Sequence, residues 1–298
     1  MRNVILSTVS NPSAEFVNLN SMMNLLDINS YYKVTEPLSR VKINNLFARS
    51  VVEKQVTGHS YVDRFSDPET FYVVHPYGMS LLFGETANKE FNNHLVDYLL
   101  NSTGSRNKIE WLQAWPGEWN TLLTDVLGDK LIIPNDDRAE PKSSLVEVNT
   151  RVNFKFNAEK YHDFKTSLKT CDHKIIPVNR ENFDRMQGNV VPQYFWDNAD
   201  DFCSKGAGFS LVIDGKPVST AYAAYVIENR LELGIETLAE HRGKGFALFT
   251  CSALIDFCLE NSFEPVWSCR QENSASYKLA LKLGFEPVLT LPYYRLPV

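Results

Sequence analysis

The residues best able to do chemistry together lie in one stretch. Leu231-Glu-Leu-Gly-Ile-Glu-Thr-Leu238 alternates as a strand does, and Ala239-Glu-His-Arg-Gly-Lys-Gly245 follows as a compact, basic, glycine-rich loop. The loop feeds straight into an apolar run in which Ala247, Cys251, Leu254 and Cys258 fall at i, i+4, i+7 and i+11, the stripe of a buried helix. Cys251 and Cys258 therefore read as small core residues. A glycine loop at a helix start leaves several backbone N–H groups pointing outward, and the helix dipole adds partial positive charge. That constellation holds a phosphate or pyrophosphate: Gly243 and Gly245 allow close backbone approach, Phe246 and Ala247 open the helix, and Arg242 and Lys244 can neutralise oxygens. The same residues also make an ordinary tight turn with two solvated charges, and both readings stand. No G-x-x-x-x-G-K-S/T loop is present, and Gly243-Lys-Gly245 lacks the third glycine and βαβ setting of a dinucleotide fingerprint. An ATPase or a dehydrogenase is disfavoured.

Arg242-x-x-Gly245-x-Ala247 after an antiparallel strand resembles the R/Q-x-x-G-x-G/A acyl-coenzyme A signature of the GCN5-related N-acetyltransferase (GNAT) superfamily. Downstream, Glu264-Pro-Val-Trp-Ser-Cys269 reads as a strand, Asn273 opens a helix through Leu279, and Lys282-Leu-Gly-Phe285 precedes a last strand, as in that family. The resemblance covers residues 173–298; the whole layout is similar to two-part acetyltransferases of the zwittermicin A resistance type. It implies the acyl-CoA N-acyltransferase (GNAT) fold, an α/β (α+β) mixed sheet splayed between its fourth and fifth strands. It further implies acetyl-CoA (coenzyme A) as cofactor, with the backbone of Thr237 and Leu238 facing its pantetheine arm and Gly243, Lys244, Gly245, Phe246 and Ala247 beneath its pyrophosphate. A small-molecule amine is the implied acceptor.

Acetyl transfer to an amine requires a neutral nucleophile, a polarised thioester carbonyl and an exit for the thiolate, with positioning supplying much of the rest. The family analogy offers the Leu238 amide as the polarising donor. Glu236 and Glu240 are the nearest carboxylates able to take the amine's proton through water; Glu236 also reads as a structural or substrate ion-pair partner. The family places a tyrosine after the leucine of N-x-x-x-x-x-L-Y-x-K-x-G-F, and here that position is Ala280. Tyr277, about one helical turn back, substitutes as thiolate donor only if its ring faces the cleft; otherwise it is a packing or surface residue. A thiol, with a reference pKa of about 8.5, makes a leaving group that needs no obligatory side-chain acid. Asn273 reads as a helix cap, alone or with a second contact to the cofactor. Cys269 lies near the implied acyl site and reads as a packing residue, direct transfer being favoured over a covalent intermediate. The main rival from the same residues is a non-catalytic acyl-CoA-binding or regulatory protein; a third is an interaction protein whose aromatic amino-terminal half binds a partner.

Behind these residues stand the elements that must carry them. Gly208-Phe-Ser-Leu-Val-Ile213, the Asp214-Gly215 hairpin signal, residues 216–225 and residues 231–238 predict three successive antiparallel strands. Residues 157–168 predict a helix capped by Asn157, and residues 174–178 a strand. Upstream, residues 11–26 and 36–50 read as polar helices, Thr70-Phe-Tyr-Val-Val-His75 as a strand turning at Pro76-Tyr-Gly78 into Met79-Ser-Leu-Leu-Phe83, and residues 88–100 as an amphipathic helix. Trp111, Trp115 and Trp119 recur every four residues, the spacing of one helical face that Pro116-Gly117 interrupts, and read as a packed aromatic cluster or, with Tyr77, an acceptor wall. Residues 145–156 alternate as a half-buried strand, closing the first domain or shared between two. A boundary between 150 and 173 divides the chain into 1–156, a divergent α/β domain for the acceptor site or for homodimer formation, and 157–298, the catalytic GNAT domain.

Composition narrows the rest. The chain has 298 residues, 44% apolar and 22% charged, and 30 Lys and Arg against 36 Asp and Glu give a net charge of -6, so no global field draws in nucleic acid or an anionic membrane. No apolar run approaches a membrane span, and the amino terminus carries no secretory pattern. Five cysteines without a C-x-x-C pair fit a reduced, cytoplasmic setting rather than a disulfide framework. The six histidines are dispersed; His162, Cys171 and His173 form the nearest approach to a ligand set, and no metal is expected.

Overall fold

A computed structural model describes residues 23–104, 106–134 and 144–298. The first stretch runs β1 (Asn24–Leu25), α1 (Tyr32–Ser39), α2 (Leu46–Val52), β2 (His59–Val62), β3 (Thr70–Val74), β4 (Met79–Gly84), α3 (Lys89–Leu99), β5 (Glu110–Trp115), α4 (Glu118–Leu127), β6 (Leu131–Ile132) and β7 (Val146–Phe156). The second runs α5 (Ala158–Ser167), β8 (Lys174–Pro177), α6 (Arg180–Arg185), α7 (Ala199–Lys205), β9 (Gly208–Ile213), β10 (Lys216–Ile227), β11 (Arg230–Thr237), α8 (Phe246–Glu260), β12 (Glu264–Val266), β13 (Ser268–Arg270), α9 (Ser274–Lys282) and β14 (Phe285–Leu296). Local chemistry sets many of these limits. Asn88, Asn157 and Asn273 each cap a helix by accepting the amide three residues on. Asp214 and Gly215 take φ of 49° and 78°, the left-handed pair that a tight β9–β10 hairpin needs.

Three expectations change. Residues 11–22 lie outside the described residues, and Asn24–Leu25 is a strand rather than a helix end. Residues 36–50 divide into α1 and α2, because the Asn45 side chain turns back to donate to the carbonyls of Leu38 (3.2 Å) and Val41 (3.3 Å) and closes the intervening loop. Trp111 and Trp115 lie on strand β5 and Trp119 on α4, so the three do not form one helical face. A spacing of four also keeps residues on one face of a strand, which makes the pattern ambiguous by itself.

Of the described strands, nine form one sheet, ordered β1-β2-β3-β4-β5-β14-β7-β13 with β6 beside β7, and five form a second, β12-β11-β10-β9-β8. The two stretches repeat one element order: a three-strand meander, a helix, a strand parallel to the third, a helix and a long last strand. The long strands are exchanged. β14 lies between β5 and β7, and β7 lies between β14 and β13, so each stretch's final strand pairs with a strand of the other stretch. Residues 264–269, expected as one strand, break at Trp267. β12 pairs parallel with β11 only as far as Glu232↔Val266, and β13 then crosses to β7 at Ser268↔Asn153. Past Glu232 the β12-side edge of β11 has no strand partner among the described residues, and this is the splay that the family resemblance implies.

One core joins the helices α2 and α8 to β10 and β11; a second, under α3 and α4, gathers Tyr72, Leu112, Trp119 and Tyr294. Between the sheets, His75 is wholly buried: its Nδ1 accepts the Tyr77 amide (3.1 Å), and its ring meets Tyr225 edge-on at 5.3 Å. Burial, with the Lys108 charge adding to it, pushes this imidazole down to about 3. The unfolded chain takes up a proton near pH 6.5 that the folded chain refuses until about pH 3, so stability is lost as pH falls below about 6.5, by up to about 1.4 kcal/mol per unit. Urea unfolding at pH 7.5 and 5.5 should show this slope. His75→Asn, which keeps an acceptor for the Tyr77 amide, should flatten it; an unchanged slope would remove His75 from the account.

Candidate active site

The edge left open by β11 borders a cleft of about 580 Å³ between the start of α8 and the start of α9. Gly243 (φ 75°) and Gly245 (φ 81°) are both left-handed, and a Cβ on either would meet nothing within 4 Å. Glycine is needed here for backbone shape, not for internal packing. Gly245 stands at the N-cap of α8 and supplies no side-chain cap. Among the described residues no group accepts from the amides of Lys244, Gly245, Phe246 or Ala247, so four donors and the helix dipole face open space. Lys278 and Lys282, four apart on α9, face the same cleft and have no ion pair among the described residues. The residues present therefore fit a pyrophosphate-bearing ligand.

Most of the expected site residues come together. Glu236, Thr237, Arg242, Gly243, Gly245, Phe246, Ala247 and Asn273 all line the cleft. Arg242, though exposed, reaches back to the strand: Nε donates to the Thr237 carbonyl (2.9 Å) and a terminal nitrogen to Glu236 Oε1 (3.1 Å), which ties the loop to the strand end. Glu236 is fully used, since its Oε2 also accepts the amides of Asn189 (3.0 Å) and Val190 (2.8 Å). Asn273 caps α9 through the Ser276 amide (3.2 Å) at the cleft wall.

Other residues fall elsewhere. The Leu238 amide donates to the Val218 carbonyl (3.0 Å) and so cannot polarise a thioester. This corrects the expectation for Leu238. In an antiparallel ladder the bonding direction alternates, so the amides of Ile235 and Thr237 are the ones directed away from β10 into the splay. Lys244 is exposed and outside the lining. The Tyr277 ring packs edge-on against Phe154 (5.4 Å, 63°) and is not part of the cleft wall, while Ala280 is wholly buried. Cys269 is buried, and burial pushes its thiol up. Tyr77 packs on Phe195 (4.6 Å) and Tyr194 (5.9 Å). Trp111 stacks on Tyr293 (4.9 Å) and Trp119 donates to the Gly84 carbonyl (3.0 Å), apart from one another. Ile235, His241 and Lys278 join the lining although no motif position marks them, and Lys282, the lysine of the L-Y-x-K-x-G-F pattern, joins it without having been singled out; the i, i+4 lysine pair following Asn273 is the available signal.

All five cysteines are free thiols, and no group of three or more His, Cys, Asp or Glu side chains among the described residues could hold a metal ion. No described helix is long and apolar enough to cross a membrane.

Comparison with known proteins supplies the remaining findings. The sequence profile of the GNAT acetyltransferase family matches residues 38–294. The chain is 25% identical over 248 residues to the uncharacterized N-acetyltransferase YdfB of Bacillus subtilis, covering 83% of this chain and 89% of that one. Its fold is similar to a GCN5-related N-acetyltransferase-like protein from Streptococcus suis, with a TM-score of 0.62, 19% identity and coverage of 90% and 98% of the two chains. It is also similar to a tandem GNAT protein from the clavulanic acid biosynthesis pathway, with a TM-score of 0.58, 9% identity and coverage of 92% and 97%.

Proposed function

The chain belongs to the GNAT acetyltransferase family, and from that premise we propose that it transfers the acetyl group of acetyl-CoA to an amine of a small molecule by direct attack. The observation that carries this reading is the uncapped start of α8, whose free amides face a cleft beside the unpaired edge of β11. When bound, acetyl-CoA supplies the activated acyl thioester. The amides of Lys244 to Ala247 would hold its pyrophosphate, Lys278 and Lys282 would add positive charge from α9, and Asn273 would line the same cleft. The Ile235 and Thr237 amides take the place that the family analogy gives Leu238, as donors toward the splay. The two-part layout supports a place near acetyltransferases of the zwittermicin A resistance type, and the free thiols support a reducing, cytoplasmic setting.

Glu236 acts here mainly as a brace. Both of its oxygens already accept hydrogen bonds from Asn189, Val190 and Arg242, which leaves solvent as the better receiver of the amine's proton. Glu236→Gln is therefore expected to lower kcat less than about tenfold, where loss of a general base costs about 10²–10⁴. A larger fall with a changed pH–rate profile would return Glu236 to the base role.

A second reading, an acyl-CoA-binding protein without turnover, is favoured by one observation: Ala280 replaces the usual tyrosine and Tyr277 is turned to Phe154. Calorimetric titration with acetyl-CoA, desulfo-coenzyme A and adenosine 3′,5′-bisphosphate tests the cleft; thiol release with amines separates the two readings. A folded protein that binds none of the three ligands would overturn both.

A further inference from the structure

Two arginines are about equally buried, and they are treated in opposite ways. Arg106, 8% exposed, makes four hydrogen bonds to three carbonyls: Nε and one terminal nitrogen to Pro297 (3.0 and 2.7 Å), that same nitrogen to Leu99 (3.0 Å), and the other to Tyr98 (2.9 Å). Arg151, 9% exposed, makes no side-chain hydrogen bond to any described residue, and its buried Nε has no partner. Its nearest carboxylate oxygen is on Glu232 at 3.7 Å, and it lies over the Tyr293 ring at 5.2 Å. Glu232 is a poor counter-ion, since its Oε2 accepts from Asn44 (2.9 Å) and burial pushes its carboxyl up. A buried guanidinium with five donors and no acceptor is costly unless something completes it.

The neighbours lack acceptors in the same way. Asn149 lies two residues along the same face of β7, opposite Tyr293, and its Nδ2 is buried and unpartnered. Gln113, on the far side of Tyr293 in β5, is wholly buried with neither amide atom bonded. Across the space between the sheets, the buried Tyr222 hydroxyl also has no partner; its ring lies over Gly234, where a Cβ would come within 2.9 Å of ring and hydroxyl atoms. Unbonded buried groups are rare in native proteins. Here donors from β5, β7 and β10 collect on the face of β11 that carries Glu232, Gly234 and Glu236, with Tyr77 within electrostatic reach of both Arg151 and Glu236. Glu236, on the same face, lines the cleft.

We propose that Arg151 anchors a carboxylate of the acceptor, so that the amine acetylated belongs to an amino acid, with Asn149, Gln113 and Tyr222 completing the oxyanion's hydrogen bonds. The assignment rests on the acetyltransferase reading above. A planar guanidinium held only by a long contact to Glu232 (3.7 Å) has its donors left over for a carboxylate and suits its geometry. The amino-terminal stretch thereby contributes to the acceptor site through Tyr77, Gln113, Asn149 and Arg151.

The test uses the full chain, acetyl-CoA and matched acceptors: the common L-amino acids and 5-aminopentanoate, their decarboxylated partners such as cadaverine for lysine and butylamine for 5-aminopentanoate, and O-phosphoethanolamine. Thiol release should be supported by a carboxylate-bearing member well above its decarboxylated partner. For that acceptor, Arg151→Met should raise KM by about 30-fold, in keeping with loss of a charged hydrogen bond, erase the preference and leave acetyl-CoA affinity unchanged, with Arg151→Lys recovering part of it. The Tm of Arg151→Met should be equal or higher, because the guanidinium makes no hydrogen bond to any described residue and its ion pair with Glu232 is long, at 3.7 Å. Equal or better use of decarboxylated amines, preference for O-phosphoethanolamine, a preserved preference or a lowered Tm in Arg151→Met, or no thiol release with any carboxylate-bearing amine would each overturn the assignment. If acetyl-CoA itself fails to bind, the acetyltransferase reading fails; if it binds and these amine results go the other way, only the acceptor assignment does.

Discussion

Gly245→Asp is expected to weaken acetyl-CoA binding by about 100-fold or more, a loss of about 2.7 kcal/mol, while the protein stays folded. Gly245 sits at φ 81° with nothing within 4 Å of the place a Cβ would take, so a side chain there projects into the cleft and not into the core. Aspartate tolerates the left-handed region better than most residues. Its charge also sits well at a helix start, an effect of about 0.3–1 kcal/mol that offsets part of the strain. The change therefore touches the fold little. It places a carboxylate where the amides of Lys244 to Ala247 would receive phosphate oxygens, removing the donors and adding repulsion. Gly245→Asn has the same shape without the charge and should lose distinctly less affinity. Titration of both variants with acetyl-CoA, beside their melting curves, separates the possibilities; unchanged affinity in a folded Gly245→Asp protein would make this loop an ordinary turn.

The residues that make this cleft are legible in the sequence because their signals are local. A left-handed Asp-Gly hairpin, asparagine caps and a glycine pair before an apolar helix each report on a few consecutive residues, and the structure has all of them. What cannot be read is long-range. Nothing local in Glu264-Pro-Val-Trp-Ser-Cys269 says that the strand changes sheets at Trp267; the reason is that β7, more than a hundred residues earlier, offers Asn153 as a partner there. The alternation in β7 reads as a half-buried strand, with Glu147, Asn149, Arg151 and Asn153 toward solvent. All four are buried, because the second stretch covers that face. Polar alternation specifies which side chains share a face, not what the face meets. The acceptor-side residues are hidden for the same reason: a polar strand face looks alike in sequence whether it meets water or a partner sheet. The Leu238 correction is smaller in scale. Which amide of a strand faces the gap depends on ladder phase, and one residue reverses it.

The exchange of final strands couples the two cores. Tyr294 belongs by chain order to the carboxyl-terminal stretch, but it is buried in the core of the amino-terminal one, against Leu112 and Trp119, and its hydroxyl donates to Asn120 (3.0 Å). Tyr294→Ala should destabilise the protein by about 3–5 kcal/mol, the cost of a large aromatic truncation in a closed core. The form of the loss matters more than its size. β14 begins at Phe285 in one core and ends at Leu296 in the other, while pairing with β7 along most of its length. Neither stretch can unfold without stripping a strand from its neighbour, so calorimetry should show one transition in the wild type and one, at lower temperature, in the variant. Acetyl-CoA, which would bind in the cleft and not against Tyr294, should raise that whole transition by mass action and not just a carboxyl-terminal part of it. Two separable transitions, with Tyr294→Ala moving one and ligand moving only the other, would show that the halves are energetically independent and that the shared strands couple them in geometry alone.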